Sequence, residues 1–142
     1  MKMGFDETTV KKLLKKVGKE AVDADDVARQ AITDKYPSGE CFACAREINE
    51  KFGDRIVLIT GKFGDELKGP GGIDIGAPVG WHVFTIDPKL NAWDNFGKHG
   101  SSQTYLNSIL RANPGATYEV FGDWQSATLK LFDFYNDAGA VF

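Results

Sequence analysis

Apolar residues recur at helical spacing through the first third of the chain. Their period predicts a helix around residues 10–17, a second helix over Asp23–Asp34 and a third from Gly39 to Phe52. Ser38 lies directly before the third segment and is a residue type that caps helix N-termini. With that cap, Cys41 falls in the first turn of the third helix.

The rest of the chain reads mainly as strands, because short β-branched and aromatic segments are separated by Gly, Pro, Asn and Asp. The predicted elements after the third helix are strand Arg55–Thr60, a glycine-rich loop over 61–80, strands Trp81–Ile86 and Ala92–Phe96, a helix over Ser102–Asn113, and β-structure over 118–121 and 129–134. Helices followed by an antiparallel sheet predict an α+β fold, with the N-terminal helices packed on the sheet.

Composition is typical of a single globular domain. The chain has 142 residues, of which 42% are hydrophobic and 26% charged. The formal net charge is -3, so we expect no nucleic acid as the main partner, because nucleic-acid-binding surfaces carry a basic excess. No stretch approaches the roughly 20 apolar residues of a membrane span. The first residues also lack the apolar core of a signal peptide, which leaves a cytosolic protein or a piece exported within a larger one.

Cys41 is the candidate nucleophile. A cysteine in the first turn of a helix meets the positive end of the helix dipole and unpaired backbone N–H groups, and both favour the thiolate. A thiolate nucleophile usually works with a general base. Of the two histidines, His82 lies on a predicted strand that fixes its position, whereas His99 lies in a predicted loop between glycines. We expect His82 to be the base; a hydrogen-bonded core histidine is its alternative role.

The strand after His82 supplies a third member of a triad. In the two hairpin registers considered, Ile86 pairs either with Leu90 or with Ala92. In both registers Asp94 shares a face with His82, directly opposite or one diagonal away. A register shifted by one residue places Asn95 there instead. Either side chain can accept the proton on Nδ1 of the imidazole and turn Nε2 towards the thiol, and Asp94 is preferred.

Three short motifs carry this chemistry in a fixed order. They are Gly39-Glu40-Cys41-Phe42-Ala43-Cys44-Ala45 at a helix start, Gly80-Trp81-His82-Val83, and Trp93-Asp94-Asn95-Phe96. Their order resembles the papain-fold toxin domains of bacterial polymorphic toxin systems. The resemblance implies a papain-like core within one domain over 1–142, with a helical part at 1–37 and the catalytic core at 38–142. It implies Cys41 as nucleophile, His82 as base and Asp94 as the orienting carboxylate.

The resemblance also implies an activity and a setting. Amide hydrolysis of a protein substrate is implied, by a peptidase or a glutamine deamidase that needs no metal and no organic cofactor. A larger secreted toxin would deliver the domain into the cytoplasm of a target cell, and a cognate immunity protein would cover the site. The chain departs from the papain-like pattern in having no Gln or Asn over 35–40, where such enzymes often bind the oxyanion.

Three other functions are compatible with the sequence. Cys41-Phe42-Ala43-Cys44 is a C-x-x-C at a helix start, as in thiol oxidoreductases, although no strand leads into it. The number and type of zinc ligands are matched by Cys41, Cys44, His82 and His99, with a spacing unlike that of zinc modules. A non-catalytic interaction module needs none of these residues. We expect Cys44, one turn after Cys41, to be a buried core residue.

Overall fold

The computed structural model describes residues 23–73, 75 and 79–139, so the helix predicted around 10–17 lies outside the described residues. The elements within these ranges are α1 (Ala24–Thr33), α2 (Cys41–Phe52), β1 (Arg55–Thr60), a 3₁₀ turn (Pro70–Gly72), β2 (Trp81–Ile86), β3 (Asn91–Asp94), β4 (Gly97–Ser101), α3 (Ser102–Ala112), β5 (Thr117–Phe121) and α4 (Trp124–Asp137). None of these helices is both long and apolar enough to cross a membrane.

The five strands form one antiparallel sheet in the order β4-β3-β2-β1-β5. In β1, the residues from Ile56 to Ile59 are all buried, as expected for a short apolar run covered on both faces. The helices α1 and α2 precede the sheet in the chain, while α3 and α4 follow its fourth and fifth strands. The predicted α+β class is therefore confirmed, with only part of the helical content N-terminal to the sheet.

Helices cover both faces of the sheet. On one face, α3 and the loop after β1 bury a cluster with β1, β2 and β3, which contains Val57, Ile59, Leu67, Ile75, Phe84, Ala92, Tyr105, Leu106 and Ile109. On the other face, α2 and α4 bury a cluster that contains Cys41, Ala45, Ile56, Leu58, Val83 and Ala127. A third cluster joins α1, α2 and β3 through Ile32, Cys44, Ile48 and Trp93. The first residue of α2 is thus held against the sheet.

The hairpin after β2 differs from its predicted form. The strand predicted over Ala92–Phe96 ends at Asp94, and the next two residues turn the chain into β4. His99, expected in a loose loop, lies on β4, which pairs with β3. The turn is short enough for β4 to pair directly with β3. This pairing holds the backbone of His99 in place.

The C-terminal segment is a helix, so the β-structure predicted over 129–134 is wrong. The side chains of α4 that reach the core are Trp124, Ala127 and Leu131. Their spacing of three and four residues is helical, whereas Leu129, whose alternation with Leu131 suggested a strand, is 65% exposed. The carboxylate of Asp123 caps the helix by accepting a hydrogen bond from the backbone N–H of Ser126 (2.8 Å).

Ser38 is not the N-cap of α2, contrary to the sequence-based expectation. The helix begins at Cys41, directly after Glu40. The backbone N–H of Glu40 donates to the carbonyl of Pro37 (3.1 Å), so residues 37–40 form a β-turn that separates Ser38 from the helix. Cys41 nevertheless lies in the first turn, as predicted.

Gly80 occupies a position that admits no side chain. It precedes β2 with a φ of 86°, and its carbonyl accepts a hydrogen bond from the N–H of Gly61 (2.7 Å). A Cβ at this position would collide with the carbonyl oxygen of Lys62. We expect Gly80→Ala to lower the free energy of unfolding by about 3 kcal/mol, because the cost of the left-handed backbone and the cost of a backbone clash add.

Gly115→Ala is the matched control for Gly80→Ala. Gly115 has a φ of 90°, but a Cβ there would meet nothing within 4 Å. Its substitution should cost only the backbone contribution, about 1 kcal/mol. Urea unfolding measures both variants, and equal losses would contradict the clash at Gly80.

Candidate active site

Cys41 is the first residue of α2 and lies against β2. It belongs to the cluster that also holds Trp81 and Val83, the two neighbours of His82 in the chain. The start of the helix directs unpaired N–H groups and the positive end of the helix dipole towards this position. The side chain of Glu40, the residue before the helix, makes no capping hydrogen bond. Cys41 is therefore the residue at the positive end of the α2 dipole.

The hairpin of β2 and β3 places Asp94 beside His82. Ile86 pairs with Ala92, which is one of the two registers considered from the sequence. Asp94 therefore shares a face with His82, one diagonal away, beyond the paired part of the two strands. The other candidate, Asn95, instead donates from Nδ2 to a backbone carbonyl in the turn before α2 (2.9 Å).

The imidazole of His82 is turned the opposite way from the expectation. Nε2, rather than Nδ1, faces Asp94 and donates to its Oδ2 at 2.9 Å, since a carboxylate can only accept. Asp94 lies one diagonal away, so the ring nitrogen further from the backbone is the one that reaches it. Nδ1 is buried and has no hydrogen-bond partner of accepted geometry among the described residues. Nδ1 is thus the ring nitrogen not engaged by Asp94, and Cys41 is near enough to act on the pKa of this ring.

The charges around His82 favour the imidazolium. Burial alone would lower the pKa of His82, whose side chain is fully buried. The charge of Cys41, together with the hydrogen bond and charge of Asp94, more than offsets burial and raises the pKa to about 10. His82 therefore holds its second proton more firmly than an ordinary histidine does.

Asp94 accepts four hydrogen bonds. Its Oδ2 accepts from Nε2 of His82 (2.9 Å) and from the hydroxyl of Tyr105 (2.6 Å). Its Oδ1 accepts from Nε2 of His99 (2.6 Å) and from the backbone N–H of Phe96 (2.9 Å). Burial would raise the pKa of Asp94, but the hydrogen bonds from His82 and His99 hold it well below its ordinary value. Asp94 is therefore a buried carboxylate that stays ionised at neutral pH.

Two of these donors, His99 and Tyr105, were missed by the sequence analysis. Their rings stack with centroids 4.0 Å apart and planes within 5° of parallel. Burial and the charge of Asp94 raise the pKa of Tyr105 far above its ordinary value, so its hydroxyl remains a donor. His99 could have been found from the sequence if a tight turn directly after Asp94 had been predicted, because the chain would then return with His99 beside that carboxylate. No local pattern indicates Tyr105, because its contact depends on how α3 packs on the sheet.

Cys44 is a core residue, as predicted. It is fully buried, in the cluster with Ile32, Ile48 and Trp93. Burial, followed by the charges of Asp94 and Cys41, raises the pKa of Cys44 to about 12, so it stays protonated at neutral pH. Both cysteines are free. Within residues 23–73, 75 and 79–139, no group of three or more His, Cys, Asp or Glu side chains could hold a metal ion.

Access to the thiol is restricted. Cys41 is 5% exposed, and His82 and Asp94 are fully buried. Phe42 and Trp81 pack against the Cys41 cluster and meet edge to face, with centroids 6.3 Å apart. Nε1 of Trp81 also donates to the hydroxyl of Tyr135 on α4 (3.0 Å). A molecule from solution therefore reaches the Cys41 sulfur only when neighbouring side chains move.

Comparisons with protein-family models, with curated proteins and with solved structures found no match. No relative therefore supplies a function for this chain. A function has to be inferred from the geometry of the Cys41, His82 and Asp94 site, together with the motifs that surround these residues.

The pKa of His82 should depend on the sulfur of Cys41. In Cys41→Ser protein we expect this pKa to fall by about one unit or more, because the charge of Cys41 is the strongest influence that raises it. An NMR titration of the His82 ring carbons measures the change. Cys44→Ser is the control, since it removes a thiol from a different core cluster. An unchanged His82 titration in Cys41→Ser protein would contradict the charge pair.

Proposed function

We propose that this chain is a cysteine-dependent amide hydrolase, a peptidase or a glutamine deamidase, with a papain-like core. Cys41 is the nucleophile, His82 the acid and base, and Asp94 the orienting carboxylate. The observation that carries the proposal is the setting of His82, whose Nε2 is bound to a buried carboxylate while Nδ1 is left for a thiol at a helix start. With the proton on the imidazole, the sulfur becomes the thiolate, which is the form that attacks.

The first step is acyl transfer to sulfur. The Cys41 thiolate attacks the amide carbonyl carbon, a C–S bond forms, and the carbonyl electron pair moves onto oxygen. His82 then gives the proton on Nδ1 to the leaving nitrogen as the C–N bond breaks. The products are a thioester on Cys41 and a free amine, or ammonia where the substrate is a glutamine side chain.

The second step is hydrolysis of the thioester. Neutral His82 takes a proton from water at Nδ1, and the resulting hydroxide attacks the thioester carbonyl. Collapse of this intermediate breaks the C–S bond, releases the carboxylic acid and restores the thiolate beside the imidazolium. Asp94 remains an anion throughout, because its role is to orient the ring and balance its positive charge.

Cys44 makes the oxidoreductase alternative unfavourable. Thiol–disulfide exchange through a C-x-x-C requires both sulfurs to react in turn. Cys44 is fully buried and its pKa is raised to about 12, so it supplies neither a thiolate nor an accessible sulfur. Amide hydrolysis needs only Cys41.

The biological setting is proposed from the resemblance of the three motifs to papain-fold toxin domains. It comprises a protein substrate, delivery into the cytoplasm of a target cell as part of a larger secreted toxin, and a cognate immunity protein. The restricted access to Cys41 is compatible with a large substrate that rearranges the aromatic side chains around the site. Peptidase and deamidase share the triad and differ in the amide that reaches the sulfur.

The rate of Cys41 alkylation against pH tests the proposed function. The Cys44→Ser background isolates one thiol, and mass spectrometry follows its reaction with iodoacetamide. An ordinary thiol gives a rate that rises with an inflection at about pH 8.5. We expect a plateau that extends well below that pH and is lost in the added His82→Ala variant. The ordinary profile in both proteins would contradict the hydrolase and favour a non-catalytic interaction module.

A further inference from the structure

We infer that His99 and Tyr105 are positioning residues that lock the carboxylate of Asp94 in the orientation that holds His82; this inference rests on the proposed function. An ionised carboxylate has about four acceptor sites on its two oxygens. All four have a donor here, of which His82 supplies one and Phe96 supplies a backbone N–H. The other two come from His99 and Tyr105.

Tyr105 acts on the same oxygen as His82. Its hydroxyl donates to Oδ2 of Asp94 at 2.6 Å. Oδ2 thus accepts from two buried side chains, those of Tyr105 and His82. Tyr105 is 4% exposed, and its ring packs edge to face on Phe84, with centroids 5.2 Å apart. Tyr105 therefore anchors Oδ2 to α3, the helix on the opposite face of the sheet from Cys41.

His99 anchors the other oxygen. It donates to Oδ1 at 2.6 Å from the edge strand β4, and stacking on Tyr105 fixes the plane of its ring. Without this donor Oδ1 keeps only the hydrogen bond from the backbone N–H of Phe96. The carboxylate is then held less firmly against rotation about its Cβ–Cγ bond, and Oδ2 is directed less well at Nε2 of His82. Loss of either donor thus misdirects the imidazole through Asp94.

The surroundings of His99 permit a clean test. A cavity of about 260 Å³ beside it is otherwise lined by Pro70, Ile73, Ile75, Phe96 and Tyr105. His99→Leu removes the hydrogen-bond donor. Because the cavity walls are mainly apolar, the leucine side chain is compatible with its neighbours. His99→Gln is the matched rescue, since its amide can still donate to Oδ1. Tyr105→Phe removes only the hydroxyl and keeps the ring.

Two readouts separate positioning from simple support of the fold. In the Cys44→Ser background, the alkylation rate of Cys41 at pH 7 reports on the thiolate, and NMR reports how slowly the Nε2 proton of His82 exchanges with water. We expect His99→Leu and Tyr105→Phe each to lower the rate about tenfold and to speed the proton exchange, while His99→Gln stays within about threefold of the parent. Circular dichroism and thermal melting show whether each variant is folded.

An unchanged alkylation rate and unchanged proton exchange in folded His99→Leu or Tyr105→Phe protein would overturn the positioning role, whatever happens to the melting temperature. His99→Gln with the same loss as His99→Leu would overturn the hydrogen bond as its cause. If one variant does not fold, the variant at the other position decides. Failure of the proposed function appears separately, because the parent protein itself would then react as an ordinary thiol.

Discussion

The hydrogen bond between His82 and Asp94 is the interaction on which the site depends. A buried carboxylate is costly unless donors surround it, and Asp94 has four, from β2, β4, α3 and the turn after β3. These elements converge on one pair of oxygens, so folding of this part of the sheet also assembles the site. The same contacts keep Asp94 ionised and direct Nε2 of His82 inward, which leaves Nδ1 for the sulfur.

The site spans the sheet where β2 and β3 separate. Their pairing consists of two residue pairs near the turn, and His82 and Asp94 lie beyond it. Cys41 approaches from the helix on one face, while Tyr105 approaches from the helix on the other. The proposed charges then alternate from thiolate to imidazolium to carboxylate, so the one cation has an anion on either side. Burial strengthens the attraction between these opposite charges. It also means that side chains have to move before another molecule can reach the site.

The sequence predicted the features that depend on local spacing. Helical periodicity predicted the helix that holds Cys41, and Cys41 lies in its first turn even though the Ser38 cap from which that position was predicted is wrong. The two-residue period of a hairpin put Asp94 on the face of His82, and Cys44 was expected in the core. Features that depend on packing were missed or wrong. The alternation of Leu129 with Leu131 suggested a strand, but a helix can also leave one of two such leucines exposed. The contact of Tyr105 with Asp94 depends on how α3 packs on the sheet. The orientation of the His82 ring depends on whether Asp94 lies directly opposite His82 or one diagonal away, and the sequence allowed both registers.

The ultraviolet absorbance of the Cys41 thiolate, followed as Cys44→Ser protein is titrated from alkaline to acid pH, tests the charge pair most directly. We expect thiolate absorbance to persist at neutral pH in this protein. It should be lost there in the added Asp94→Asn variant, which keeps the shape of the side chain but removes the charge that balances the imidazolium. Thiolate absorbance confined to pH values above about 8.5 in the Cys44→Ser protein, or unaffected by Asp94→Asn, would contradict a thiolate–imidazolium pair held by Asp94.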